Sequence, residues 1–329
     1  MTADNPINTD SRPLPSSKRL GYAPALRRGS TNNGMQRTAR LVAADAKMIS
    51  AAISAMNDYK TTLLAHLATY KNAVLGVHED GVWARNNRPY PHILPSHKAE
   101  LNLVSGVRAL WAASPKARGV KRHRDFHHLN SSQAFAINLF FPLLYDRDVH
   151  ASLLRALGLA AGVVEDWNFE VIIDRVELTN FDLVLQLEGQ RRVFIEVKLT
   201  ESEFGEVSDS DTQRRRRDLI YLPRLAEKVS ASALEIPHFF KMYQLLRNAS
   251  YTATNRDQVL FIMPRQNTAV ASAADRFTSK VVSEDYRPLI RTVFAEDLVA
   301  NLLTADLPSN VRAAVGETAD KYLLGQCMV

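Results

Sequence analysis

Three ionisable residues sit where a sheet has little room for charge. In the stretch TNFDLVLQLEGQRRVFIEVKLTE, residues 179–201, Asp182 lies in one strand-like apolar run, and Glu196 and Lys198 lie in the next. Gly189 in LEGQRR marks a tight turn between the runs. A turn there pairs residues whose numbers sum to about 378 or 379, which sets Asp182 opposite Glu196 or Val197. Because strand side chains alternate, Leu183, Leu185 and Leu187 share a face with Val193, Ile195 and Val197, and the three charges take the other. Opposed residues have Cβ atoms roughly 5 Å apart. Two carboxylates that close repel unless a cation lies between them.

That geometry suits a hard divalent cation. Mg²⁺ (with Mn²⁺ as its alternative) prefers oxygen ligands and commonly takes one or two protein carboxylates. Lys198 points the same way and is placed to orient or deprotonate a water, and the set as a whole could act on a phosphodiester. An E-x-K beside a cross-strand Asp is also how a solvated sheet face satisfies its charges. The apolar neighbours Val193, Phe194, Ile195, Val197 and Leu199 indicate a sheet interior instead.

The elements around the hairpin must position these groups. Asn130, Ser131 and Ser132 offer N-cap oxygens to an apolar helix from Ala134 to Leu144, with Pro142 set to end or kink it. VHASLLRALGLA is a second amphipathic helix with Gly158 near its end. Strands follow at Trp167–Val176, Phe181–Leu187 and Arg192–Leu199. After a polar stretch come a helical region near 218–228, a helix opened by Pro237 in IPHFFKMYQLLRNASY, and the short strand DQVLFIMP. The order helix, three strands, helix, strand predicts a mixed α/β core over 128–265. Residues 35–127 read as a helical N-terminal region and 266–329 as a C-terminal helical region. Residues 1–34, rich in Pro, Ser, Asn and Arg, read as a disordered basic tail.

Composition narrows the classes. Of the net charge of +6, residues 1–40 carry +5, so the basic balance belongs to the tail and not to a nucleic-acid-binding domain. Cys327 is the single cysteine, which excludes a disulfide framework and a cysteine-cluster metal site. No apolar run approaches a membrane span, no secretory signal is visible, and the chain reads as cytoplasmic. Neither G-x-x-x-x-G-K-[ST] nor G-x-S-x-G occurs.

The sequence FD, followed after a strand and turn by IEVK, resembles the D…(D/E)-x-K signature of the PD-(D/E)XK nuclease superfamily. HLNSSQAFAINLFFPLL, TNFDLVLQLE, FIEVKLTESEFG and FFKMYQLLRN together resemble a branch of that superfamily assigned to restriction endonucleases, over roughly residues 88–265. The resemblance implies a restriction-endonuclease-like core with helical additions on both sides, and an Mg²⁺-dependent endonuclease acting on DNA. It implies that Asp182 and Glu196 are metal ligands with the Val197 carbonyl as a third, and that Lys198 is the catalytic lysine. Many members place an acid on the first core helix, where this chain has none; Gln133, Glu165 and Glu170 are the candidates for that place.

Tyr243, Gln244, Arg247 and Asn248 lie on the helix before the last core strand, with Gln244 and Arg247 spaced to face a cleft together. Arg214, Arg215, Arg216 and Arg217 form a cationic run that is either solvated or paired with phosphate. Alternatives remain a catalytically silent nucleic-acid-binding protein on the same scaffold and a nuclease for RNA or branched DNA. A restriction role would bring a cognate methyltransferase. Specificity would reside in the helical segment 36–120 or in a second copy of a homodimer.

Overall fold

The structure, a computed structural model, describes residues 58–174, 179–253 and 256–325. The tail 1–34 and the first part of the expected helical region lie outside the described residues. A helix, α1, runs over 58–73, followed by a small hairpin of β1 (Gly81–Trp83) and β2 (Arg88–Tyr90). This hairpin lies within the N-terminal region 35–127, in a stretch, 78–99, whose Pro, Asn and His content reads as irregular and not helical. It forms where Pro and Asn crowd the sequence NNRPYP, with Asn87 at φ 53° in the turn.

After α2 (Ser105–Ala113) comes α3 (Ser132–Tyr145), capped by the Ser131 hydroxyl accepting from Ala134 N–H at 3.3 Å. Pro142 lies inside α3 without ending it. Twelve of its fourteen residues are buried, so tertiary packing on all sides outweighs the missing N–H. The helix α4 (His150–Ala156) leads into the sheet.

The sheet has five strands: β3 (Val164–Asp174), β4 (Thr179–Leu187), β5 (Arg191–Val197), β6 (Gln258–Met263) and β7 (Ile290–Phe294), adjacent in that order. The first three are antiparallel, and β5, β6 and β7 are parallel. Leu183 pairs with Ile195 and Leu185 with Val193, the register expected of the Gly189 turn. Gly189 has φ 68°, a left-handed conformation that glycine adopts without Cβ strain. The strand β7 corrects the expectation of a purely helical segment after residue 265: IRTVF is short and only part-buried, and its pairing with β6 makes it a strand.

Between β5 and β6 lie α5 (Asp211–Arg216) and α6 (Tyr243–Ala249). The helix expected through IPHFFKMYQLLRNASY is two pieces, His238–Lys241 and α6, because Met242 leaves helical geometry at φ −108°, ψ 22°. The chain closes with α7 (Thr268–Arg276), α8 (Ala295–Thr304) and α9 (Ser309–Tyr322).

Two cores sandwich the sheet. Leu183, Leu185, Ile195 and Val197 join Phe140, Leu298 and Val311 from α3, α8 and α9 in one of them. That cluster runs from Tyr59 to Leu323, so the flanking helices share a core with the central sheet and are not separate units. On the other face Phe194, Phe261 and Met263 pack with Phe239, Leu246 and Phe277. Each fully buried side chain of this size stabilises the fold by about 1.5–3 kcal/mol.

Candidate active site

Where β4 and β5 part, the charged residues come together. The β4–β5 ladder ends at the pair Leu183 and Ile195; beyond it the Asp182 carboxylate accepts from Val197 N–H at 2.6 Å. Glu196 is 5% exposed. Its Oε1 accepts from Lys198 Nζ at 2.8 Å and from Gln244 Nε2 at 2.7 Å, and its Oε2 accepts from Asn248 Nδ2 at 3.0 Å. A buried carboxylate without such donors would be strongly destabilising. Hydrogen bonds to a charged group contribute about 1.5–3 kcal/mol each.

Asp182 and Lys198 feel this crowding differently. Loss of hydration pushes the Asp182 carboxyl well above its usual range, and the charges of Glu196 and Glu170 push the same way. Lys198 and the Val197 N–H oppose them. For Lys198, burial works to lower the ammonium's pKa, but Glu196, Glu201 and Asp182 outweigh it and leave the value raised. Lys198 is therefore a cation here, set over the Phe204 ring at 5.7 Å. Gly205, next in the chain, has φ 68°, and a Cβ there would come within 3.2 Å of Gln244 Oε1.

Glu170 is the third carboxylate. It stands across from Asp182 on β3, between the pairs Phe169–Leu183 and Val171–Phe181. Its φ of 56° is left-handed, a conformation that costs a non-glycine residue on the order of 1–3 kcal/mol. Its Oε2 accepts from Asn180 Nδ2 and lies 3.2 Å from His123 Nε2, while its Oε1 is buried with no hydrogen-bond partner. The hydrogen bond to Glu170 raises the His123 pKa.

Several expected site residues do other work. Gln133 is 1% exposed, and both ends of its amide are engaged: Oε1 accepts from His123 N–H at 2.9 Å and Nε2 donates to Lys121 O at 3.0 Å. It fixes the segment carrying His123 and is closed to ligands. Glu165 is exposed beside Val164, which pairs with Leu187, five residues along β4 from Asp182 and so roughly 17 Å away. Asn248 is fully buried on Glu196, and Tyr243 is buried with its hydroxyl 3.1 Å from that of Tyr221, so neither offers a surface to nucleic acid. On α6 it is Gln244 and Asn248, four apart, that reach Glu196; the Arg247 side chain lies against Tyr243 and Asn248.

The arginine run is divided as well. Arg214 pairs with Asp209 at 2.6 Å, and Arg217 donates to Leu234 O at 2.9 Å and to Asp218 at 2.5 Å. Arg215 is exposed and Arg216 half-buried. Only part of the run faces outward. His123, Asn180 and Glu201 join the site through tertiary contacts that no motif in the sequence signals.

The donors fit a hard cation. Asp182 and Glu196 provide carboxyl oxygens, Glu170 holds a buried oxygen without a partner, and carboxyl groups outnumber the one lysine among them. Among the described residues no group of three or more His, Cys, Asp or Glu side chains is gathered closely enough to hold a metal ion. Among the described residues no helix is long and apolar enough to cross a membrane. None of the curated proteins and none of the solved structures matches the chain. Residues 64–323 match the family described as Restriction Endonuclease associating with ARP. The match takes in α3, the whole sheet, the hairpin with its three charges and most of the helical flanks, and the chain belongs to that family.

Proposed function

We propose that this chain is a divalent-metal-dependent endonuclease that hydrolyses DNA phosphodiester bonds in restriction or another defence role, working in the cytoplasm on a restriction-endonuclease-like core. The observation that carries this reading is the open end of the β4–β5 hairpin, where the carboxyl groups of Asp182 and Glu196 meet the Lys198 ammonium. The family's description as restriction endonucleases supports DNA as the substrate.

Asp182, Glu196 and the Val197 carbonyl would hold Mg²⁺ or Mn²⁺. Such an ion polarises the phosphodiester and offsets negative charge on the attacking and leaving oxygens. The chain's own residues do the rest. Gln244 and Asn248 fix the Glu196 carboxylate in one orientation, so its oxygens need little rearrangement on binding. Lys198, held as an ammonium, donates to an oxygen of the scissile phosphate and stabilises the charge that grows there. A water gives up a proton to solvent as its oxygen forms the new bond to phosphorus, and one bridging oxygen leaves and takes up a proton from solvent.

The test is plasmid cleavage in Mg²⁺ by the wild type, Glu196→Ala and Lys198→Ala. The expected result is cutting by the wild type alone. Equal cutting by all three refutes the site. Tight DNA binding without cutting in Mg²⁺ or Mn²⁺, unchanged by Glu196→Ala, would favour the silent-scaffold reading. A panel of RNA and branched DNA identifies the preferred nucleic acid.

A further inference from the structure

A second polar cavity, of about 560 Å³, lies away from the hairpin charges, and none of Asp182, Glu196 or Lys198 lines it. Five stretches of chain build it: the end of β3 with Asp174, Arg192 on β5, the segment after α5 with Arg224, Glu227 and Lys228, the segment after α6 with Tyr251, and Tyr286. Its cations are unequally matched. Arg192 makes a two-pronged contact with Asp257, both distances 2.9 Å, and Arg224 lies 3.7 Å from Asp174. Lys228 is 8% exposed, and among the described residues no hydrogen bond or ion pair engages its ammonium. The ring of Tyr286, at 6.0 Å, is its one close aromatic neighbour there.

This lysine is held in place. Its carbonyl accepts from Ser283 N–H at 2.8 Å, and Val229 bridges Val282, which ties its backbone to the segment bearing Tyr286. Burial first, and then the charge of Arg224, lowers its pKa, and Asp257 only partly opposes them. An ammonium held on a rigid cavity wall without a partner among the described residues, its nitrogen reachable from the cavity, is placed to meet an anion.

We propose that this cavity binds a phosphate group, with Lys228 and Arg224 as the charged contacts and the tyrosine-lined wall beside them taking the organic part of a nucleotide. A phosphate offers several acceptor oxygens, which a lysine ammonium and an arginine fork engage together. The phosphate could come from a free mononucleotide or from a nucleic-acid strand running past the cleavage site. The site stands apart from the nuclease reading, since its residues take no part in that chemistry.

Calorimetric titration of the full chain in chelator, with inorganic phosphate, deoxyadenosine monophosphate and a short single-stranded oligonucleotide, tests this with the metal site silent. The wild type and Glu196→Ala should bind phosphate and the nucleotide alike, and Lys228→Met and Arg224→Gln should each bind roughly tenfold more weakly or worse. Thermal melts of each variant verify folding, with Lys228→Gln as the substitute should the Met variant melt early. Displacement of the nucleotide by the oligonucleotide assigns the site to a strand, and its failure to compete assigns it to a free nucleotide; either supports the proposal. Absence of binding in the wild type, undiminished binding in Lys228→Met, or equal loss in Glu196→Ala overturns it.

Discussion

Two buried lysines have opposite surroundings. Lys321, on α9, is fully buried and donates to the carbonyl and the side-chain oxygen of Asn102 at 2.5 and 2.7 Å. Around it Asn138 donates to Asn102 O and to the Tyr322 hydroxyl, and Thr318 donates to Asn138 O. No carboxylate takes part in these bonds, and burial, with Arg108 adding to it, drives the Lys321 pKa well below its ordinary value. Lys198 is almost as deeply buried, yet the acids around it keep its pKa raised. The first cluster is a satisfied framework joining α9 to the segment before α2. The second concentrates like charges and a left-handed glutamate, features that packing alone does not require. A buried polar cluster therefore signals chemistry through its unbalanced charge, not through its burial.

The largest effects should separate the two clusters by activity. Glu196→Ala or Lys198→Ala should lower the cleavage rate about a hundredfold to a thousandfold, as loss of a preorganised charge does. Lys321→Met should leave the rate per folded molecule unchanged, measured on the same plasmid. Gln244→Ala should sit between them, at roughly a tenfold loss for one hydrogen bond to a charged group. A Gln244→Ala variant as active as the wild type would show that Glu196 needs no holding.

Stability should invert the ranking. Lys321→Met leaves the Asn102 side-chain oxygen buried without its donor, while the Asn102 carbonyl keeps Asn138, and costs about 1–3 kcal/mol in urea unfolding. Its pH dependence has a definite sign. Between the depressed folded value and the ordinary 10.5, the unfolded chain holds a proton that the folded chain lacks, so stability rises with pH across that window. The Lys321→Met variant should show a flatter slope there. The smallest effect belongs to Glu170→Gln, which removes one like charge near Asp182 and should stabilise the fold by about 1 kcal/mol or less. Destabilisation instead would mean that its bonds to Asn180 and His123 outweigh the repulsion.

Much of this site is legible in the sequence because it is local. A glycine turn and strand alternation suffice to bring Asp182 and Glu196 together, and the observed register agrees with that arithmetic. Long-range partners were harder to see. On a helix, Arg247 and Asn248 are equally plausible companions of Gln244, at spacings of three and four, and only the tertiary placement of α6 selects Asn248. Gln133 looked like a stand-in ligand because its environment was unknown; the segment 121–123 occupies it. The sequence does not separate Glu170 from Gln133 and Glu165, because the register that sets it opposite Asp182 and its left-handed backbone leave no mark in composition. The strand β7 escaped notice because IRTVF is too short and polar to alternate clearly.

The central claim is that the hairpin charges are gathered for a divalent cation. Thermal melting of the wild type and Asp182→Asn, with Mn²⁺ and with chelator, tests it without any substrate. The account predicts that Mn²⁺ raises the melting temperature of the wild type and leaves that of Asp182→Asn where chelator puts it. An equal rise in both proteins, or none in either, would contradict it.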